Sequence, residues 1–262
     1  MPIDPHRTGP SRPTDVADDV RRALSQGKAA SVNLAESLAV EFHVLLYHAV
    51  PEIGEPAIER MRAAADQGIT QRMRLAAELL LTRCGPGKIN QLAAHPSDTV
   101  RGWACTMIGL VPAWTLEERL EAVTPLADDA HFGVREWAWM GVRRAIVNET
   151  GPAIAWLTRF VASHRPWLRR FAVEATRPRG VWCPHIPGLK ADPAPGLPLL
   201  EPLRADPEKY VQDSVANWLN DAGKSRPEWV LALTDRWLAE EDAAATERIV
   251  RRARRNLRGP AS

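Results

Sequence analysis

Four stretches decide the reading of this chain: Thr99-Val-Arg-Gly-Trp-Ala, Gly133-Val-Arg-Glu-Trp-Ala, Trp167-Leu-Arg-Arg-Phe-Ala and Tyr210-Val-Gln-Asp-Ser-Val-Ala. Each sets an apolar residue beside a polar one, at Val100-Arg101, Val134-Arg135, Leu168-Arg169 and Val211-Gln212, and the copies recur after 34, 34 and 43 residues. Met73-Arg74 reads as a weaker, earlier copy. A turn precedes each copy: His95-Pro-Ser-Asp, Asp128-Asp-Ala-His, Ser163-His-Arg-Pro and Ala205-Asp-Pro-Glu. Pro, Asp and Ser there stop one helix and start the next. Before each turn lies a second helical pattern, such as Leu116 to Leu126 or Ile154 to Val161. Apolar residues in both patterns recur at three- and four-residue spacing, and the two-residue alternation of strands is missing. The unit is a helical hairpin of about 34 residues, too small to bury its apolar face alone, so copies must stack.

The Asp…Val-Arg arrangement resembles the HEAT repeat. The expected fold class is therefore all-α, a right-handed α-solenoid of about six HEAT-like hairpins. Helices near Asp15–Gly27 and Asn33–Ala49 open the array, and Glu228–Leu238 with Ala243–Leu257 close it. Eight prolines fall between Pro178 and Pro207, which accounts for the 43-residue step as an insertion that cannot continue a helix. Inserted loops of repeat arrays tend to lie on one face, often the binding face. The expected organisation is a disordered segment 1–14, one repeat domain over 15–258 with a Pro-rich insertion near 178–207, and a tail 259–262.

Composition bounds the function. The chain has 262 residues, 45% apolar and 25% charged, enough to bury a core. No apolar run is long enough to cross a bilayer. Met1 to Pro13 is polar and Pro-rich, without the apolar stretch of a secretory signal. Cys84, Cys105 and Cys183 are odd in number and scattered, giving neither a disulfide framework nor a zinc spacing. The seven histidines make no HExxH pair, no Ser sits in a GxSxG elbow, and Gly85-Pro-Gly87 is a helix stop rather than a phosphate loop. A cytoplasmic monomer with no metal and no cofactor is expected.

The net charge of +2 says less than its distribution. Arg248, Arg251, Arg252, Arg254, Arg255 and Arg258 crowd the last helix, with Glu247 as the one acid between Thr246 and Ser262. Arg169, Arg170, Arg177 and Arg179 crowd the segment Trp167 to Trp182. Such clusters suit an anionic partner, nucleic acid above all, and equally a solvated helix face. At Arg177-Pro-Arg179-Gly-Val-Trp182 a helix ends, and two arginines and a tryptophan emerge. The arginines could pair with phosphates and the indole could stack on a base or face a cation. The plain alternative is that Trp182 packs under the Pro-rich loop. In Asn217-Trp-Leu-Asn220-Asp221, polar residues stacked on one helix face need partners, either across repeats or in a site.

Arg169-Arg-Phe-Ala-Val-Glu-Ala-Thr-Arg-Pro-Arg-Gly-Val-Trp182 and Tyr210-Val-Gln-Asp-Ser-Val-Ala-Asn-Trp-Leu-Asn-Asp221 closely resemble the AlkC/AlkD superfamily of alkylpurine DNA glycosylases, nearer AlkC. Asn33 to Phe42 and Glu247 to Arg258 resemble that family's opening and closing helices. The resemblance implies a basic concave surface that cradles double-stranded DNA containing alkylated bases. It also implies hydrolysis of the N-glycosidic bond of cationic bases of the 3-methyladenine type. Carried residue by residue, it implies Glu136, Trp182 and Asp221 as the catalytic group, with Glu174 as a competitor for the place of Glu136. AlkC proteins often continue into an immunoglobulin-like domain, which is not expected after Ser262. The Gly-Val pair before Trp182 and the additional tryptophans are not familial.

A cationic purine is already a good leaving group, so the expected chemistry is modest. Asp221 and Glu136 would stabilise an oxocarbenium-like sugar and place water. Trp182 would hold the lesion or its sugar by cation–π contact. Arg135, Arg169, Arg170, Arg177, Arg179, Asn217, Arg251 and Arg255 are the expected DNA contacts, with steep salt dependence. The superfamily is associated with reaching the lesion in an open cleft, so no deep base pocket is expected. No lysine is placed as a Schiff-base nucleophile, so a monofunctional glycosylase without lyase activity is expected. The rival reading is a non-catalytic HEAT-like module that binds DNA or protein, since fold does not fix function.

Overall fold

The computed structural model describes residues 3–240 and 243–257. Among them there is no strand, and the helices carry the whole architecture. In chain order these are α1 (Asp18–Ser25), α2 (Leu34–Ala39), α3 (Phe42–Ala49), α4 (Glu55–Ala63), α5 (Ile69–Cys84), α6 (Ile89–Ala93), α7 (Asp98–Leu110), α8 (Leu116–Ala127), α9 (Phe132–Asn148), α10 (Thr150–Leu157), α11 (Pro166–Glu174), α12 (Pro187–Ala191), α13 (Leu197–Leu200), α14 (Lys209–Gly223), α15 (Pro227–Glu240) and α16 (Ala244–Ala253). The chain divides into two compact units. The first comprises Met1–Trp114 with Asp129–Gly141, the second Thr115–Asp128 with Val142–Ser262. Arg258 and the tail 259–262 lie outside the described residues, as do Met1 and Pro2.

The four repeat signatures do the same thing in each copy. Arg101 Nη1 donates to the His95 carbonyl at 2.7 Å, and Arg135 Nη1 to the Asp129 carbonyl at 2.7 Å. Arg169 Nη1 donates to the Ser163 carbonyl at 2.8 Å, and Gln212 Nε2 to the Asp206 carbonyl at 2.7 Å. Each clasp reaches back six residues to the turn before its helix, where carbonyls have no helical partner. Bonds from a guanidinium are charge-assisted and worth about 1.5–3 kcal/mol each. Two of these arginines also bridge to an aspartate of the next turn, Arg101 to Asp129 at 2.9 Å and Arg169 to Asp206 at 2.6 Å. The apolar partner is buried in three copies, at Val100, Val134 and Val211, and half-buried in the other, at Leu168. Met73-Arg74 is not a copy in this sense, because Arg74 is exposed and pairs with Glu78 one turn along.

In the first unit α7 packs on α5 and α6. Helices α7 and α9 meet at bare backbone: a Cβ on Gly109 would lie 1.9 Å from the Gly141 carbonyl oxygen. The helix expected over Asn33–Ala49 breaks at Val40 into α2 and α3. The carbonyls at the break are taken by the buried Arg72, which donates to Val40 at 3.3 Å and to Leu38 at 3.4 Å. The N-terminal segment is also better held than its composition suggested. Arg7 donates to both oxygens of the buried Glu36 and to the Ala30 carbonyl, and Asn33 Nδ2 reaches the Pro10 carbonyl. One ion pair, between Arg7 and the buried Glu36, ties the segment to α2.

In the second unit α14 is the central helix and packs on α11, α15 and α16. Its inner face is closed by Val211, Val215, Trp218, Leu219 and Ala222, all fully buried. The Pro-rich insertion holds the short helices α12 and α13, each with proline in its first turn. The missing N–H is harmless at that position.

Candidate functional site

Two helix ends supply the groups that matter. α11 terminates at Glu174, and the chain leaves it through Thr176, Arg177, Pro178 and Arg179. α14 presents Asn217, Asn220 and Asp221 on successive turns of one face. Arg177 joins the two. Its Nε and Nη2 both reach Asp221 Oδ2, at 2.9 and 2.8 Å, while its Nη1 donates to Glu174 Oε1 at 2.7 Å. Glu174 Oε2 accepts from Ser214 Oγ at 2.6 Å and lies 3.6 Å from Arg170 Nη2. Asp221 Oδ1 accepts from Lys224 Nζ at 3.2 Å. Both carboxylates are only 3% exposed, whereas the Lys224 side chain is 45% exposed.

The electrostatics follow from this chain of charges. Burial alone would push the Glu174 carboxyl up, but Arg170, Arg177 and the Ser214 hydroxyl outweigh it and hold it below its usual value. Burial likewise opposes the charge on Arg177, yet Glu174 and Asp221 on either side raise its pKa well above that of an ordinary guanidinium. A buried ion pair survives only when its lone pairs and protons are satisfied, and here both oxygens of Glu174 are engaged. That leaves Glu174 no face for water or a sugar. Glu136, its competitor, is half-buried in α9, with Oε2 accepting from Trp139 Nε1 at 2.9 Å.

Trp182 is not packed under the Pro-rich loop. It is 61% exposed, and its φ of +64° is the left-handed conformation that β-carbon-bearing residues avoid. An exposed indole on strained backbone, between fixed neighbours, is the mark of a presented side chain. Arg179, three residues earlier, donates to the Asp221 carbonyl at 3.2 Å and to Ser225 Oγ at 2.6 Å. The limb leading to Trp182 is thereby tied to the end of α14.

The arginines expected on DNA divide sharply. Arg135, Arg169 and Arg170 have partners inside the protein. The first two are repeat clasps. Arg170 is buried beside Glu174, with Nε on Ser214 at 3.2 Å and its guanidinium 4.7 Å from the Tyr210 ring centroid. Arg177 is largely consumed between two carboxylates. Of the C-terminal cluster, Arg248 and Arg252 share Asp213, and Arg254 pairs with Asp235. Arg255 is exposed and reaches Asn217 Oδ1 at 3.1 Å, so those two expected contacts do come together. Arg251 is exposed too, but beside Leu231, Leu238, Val250 and Leu257 on a shallow apolar groove. Asn220 is structural: it donates to the Ala253 carbonyl at 2.9 Å and accepts from Asn256.

Sequence reasoning passed over two residues. Lys224 was not singled out, although it stands one turn beyond Asp221. Arg143 reads as a surface arginine in Gly141-Val-Arg-Arg-Ala-Ile146, yet it is fully buried. The available signal was spacing: it stands four residues after Trp139 and three before Ile146, both buried.

Residues 113–257, more than half of the chain, match the sequence profile of the DNA alkylation repair enzyme family. The chain belongs to that family. A curated relative, the uncharacterized protein YhaZ of Bacillus subtilis (strain 168), is 35% identical over 137 residues. That match covers 52% of this chain and 37% of YhaZ. Among solved structures, the Pseudomonas fluorescens alkylpurine DNA glycosylase AlkC, bound to DNA containing an abasic site analog, superposes with a TM-score of 0.70 at 22% identity. The match covers 95% of this chain and 65% of that one. AlkD2 from Streptococcus mutans superposes with a TM-score of 0.55 at 18% identity, over 82% of this chain and 97% of its own. The family match and these folds bear out the AlkC/AlkD resemblance and the all-α, HEAT-like class. The chain spans about two thirds of AlkC and little more than a third of YhaZ. Among the described residues no helix is long and apolar enough to cross a membrane.

Proposed function

We propose that this protein is a DNA repair glycosylase that hydrolyses the N-glycosidic bond of cationic alkylated bases, of the 3-methyladenine type, in duplex DNA. The observation that carries the reading is Asp221: a carboxylate fixed at one oxygen by Arg177, with the other turned to an exposed lysine. Fixed negative charge stabilises an oxocarbenium-like sugar without reorganisation. Oδ1 is the oxygen able to take a water or the sugar's charge once Lys224 swings to a phosphate. Trp182 offers the cationic base or its sugar an exposed π-face, a contact worth about 0.5–2 kcal/mol. The resemblance gives Glu136 as the second carboxylate in this proposal, since both oxygens of Glu174 are engaged. Arg179, Asn217, Lys224 and Arg255 are the phosphate contacts, with Arg251 as an outlying one.

The leaving group departs as a neutral base, so no covalent protein intermediate is required. Lys224 is ion-paired with Asp221, which argues for a monofunctional enzyme without lyase activity. The proposal has it act as a monomer in the cytoplasm, without metal or cofactor. The test is the product: methylated duplex DNA should yield free 3-methyladenine and a strand that breaks only after alkali. Strand breaks without alkali, trapped by borohydride on Lys224, would contradict the monofunctional reading. One observation favours a second reading. Two cations neutralise Asp221, and if Lys224 stays in place with DNA bound, the protein is a non-catalytic DNA-binding module. Salt-sensitive binding with no base release would establish that.

A further inference from the structure

Arg143 plays no part in the reading above. Its burial is complete, and a buried charge is tolerated only when its donors are satisfied. All its donors turn to one loop. Nη1 donates to the Ala175 carbonyl at 2.7 Å and Nη2 to the Arg177 carbonyl at 2.5 Å. Nε donates to the Pro184 carbonyl at 2.8 Å. Ala175 and Arg177 are on the limb leaving α11, and Pro184 is on the returning limb. The loop is closed again by Ile186 N–H on the Pro178 carbonyl at 3.0 Å. At Gly180 there is no room for a side chain, since a Cβ would lie 2.3 Å from Cys183 Sγ and 2.5 Å from its carbonyl. Between these ties stand Val181 and Trp182, both exposed.

A left-handed tryptophan relaxes unless the chain on both sides is fixed. Trp182 has little burial of its own to fix it, so the constraint must come from the frame of the loop. We infer that Arg143 is the positioning residue of Trp182, holding both limbs of the 175–186 loop so that the indole is presented in one orientation. The inference rests on the reading of Trp182 as the group that meets the lesion. Arg143 reaches no solvent, so it sets the rate of base release and not the affinity for DNA.

The experiment compares wild type, Arg143→Met, Arg143→Lys, Trp182→Ala and the Arg143→Met/Trp182→Ala double variant. Three quantities are read: single-turnover base release from methylated duplex DNA, binding to the same duplex, and hydrogen exchange of segment 178–186 without DNA. In Arg143→Met, exchange of the segment should rise about tenfold while α14 stays protected. Base release should fall about 10- to 100-fold, as expected for a misplaced group, with affinity changed by less than about twofold. Arg143→Lys should recover part of the rate. The double variant should be no slower than Trp182→Ala alone, because both changes act through one side chain. Additive losses in the double variant, or unchanged exchange over 178–186, would overturn the inference. Should Arg143→Met lose α14 protection as well, Arg143→Lys, alone and with Trp182→Ala, decides by the same two readouts. A wild type that releases no base defeats the glycosylase reading, and the exchange of the loop then still decides whether Arg143 holds it.

Discussion

Two nitrogens of Arg177 converge on a single oxygen of Asp221, Oδ2, and leave Oδ1 to Lys224. The carboxylate is thus held by a part-buried group on one side and by a half-exposed one on the other. Asp221→Asn keeps the shape and removes the charge. Base release should fall by about 100-fold or more, the range for loss of such a group. Asp221→Ala should also lower stability, by up to about 3 kcal/mol, since it leaves the part-buried Arg177 with Glu174 alone. Urea denaturation and single-turnover kinetics measure the two effects separately. An Asp221→Asn variant at wild-type rate would remove the carboxylate from the chemistry.

Glu174 predicts a pH dependence of stability. Its arginine neighbours and Ser214 hold its pKa below the usual 4.5 despite burial. The unfolded chain then takes up the proton more readily than the folded one, so stability rises with pH across this range. The contribution is complete above pH 4.5 and is lost as pH falls through the folded value. Wild type should show a declining urea midpoint below about pH 4.5. Glu174→Gln should have a lower midpoint at pH 7 and a shallower acid decline. An unchanged acid decline in that variant would place the titration elsewhere.

The arginines divide into two classes that one titration separates. Arg169→Met breaks a repeat clasp and its bridge to Asp206, so it should lower the melting temperature. The salt slope of DNA binding should stay the same. Arg255→Ala should leave melting unchanged and reduce the slope of log K against log salt by about 1, the loss of one phosphate contact. A reduced slope in Arg169→Met would mean that the clasp opens when DNA binds.

Trp182→Gly relieves a left-handed backbone that costs an L-residue about 1–2 kcal/mol. Glycine's greater freedom in the unfolded chain offsets part of this. Stability should therefore be equal or slightly raised while base release is lost. Marked destabilisation would show that the indole is packed.

The helical repeats were legible because a hairpin's spacing and turn residues are local properties. What the repeated arginine does was not. Its partner is a carbonyl six residues back, and only the folded turn brings the two together, so the clasps made by Arg135 and Arg169 could not be read from the sequence. The break at Val40 was hidden for the same reason, since Arg72 comes from another helix. Trp182, Asp221 and Glu136 were singled out by resemblance. That Trp182 is exposed, that Asp221 is clamped and that Glu174 is sealed depend on burial, which motif strings do not carry. Arg143 was missed because a double arginine in an apolar helix looks like a surface pair.

The most direct test of the central claim is release of free 3-methyladenine from methylated duplex DNA under single-turnover conditions, by wild type, Asp221→Ala and Trp182→Ala. The account predicts release by wild type and its loss in both variants, with salt-sensitive DNA binding retained in all three. No release by wild type, with that binding intact, would contradict the enzyme and leave a DNA-binding module.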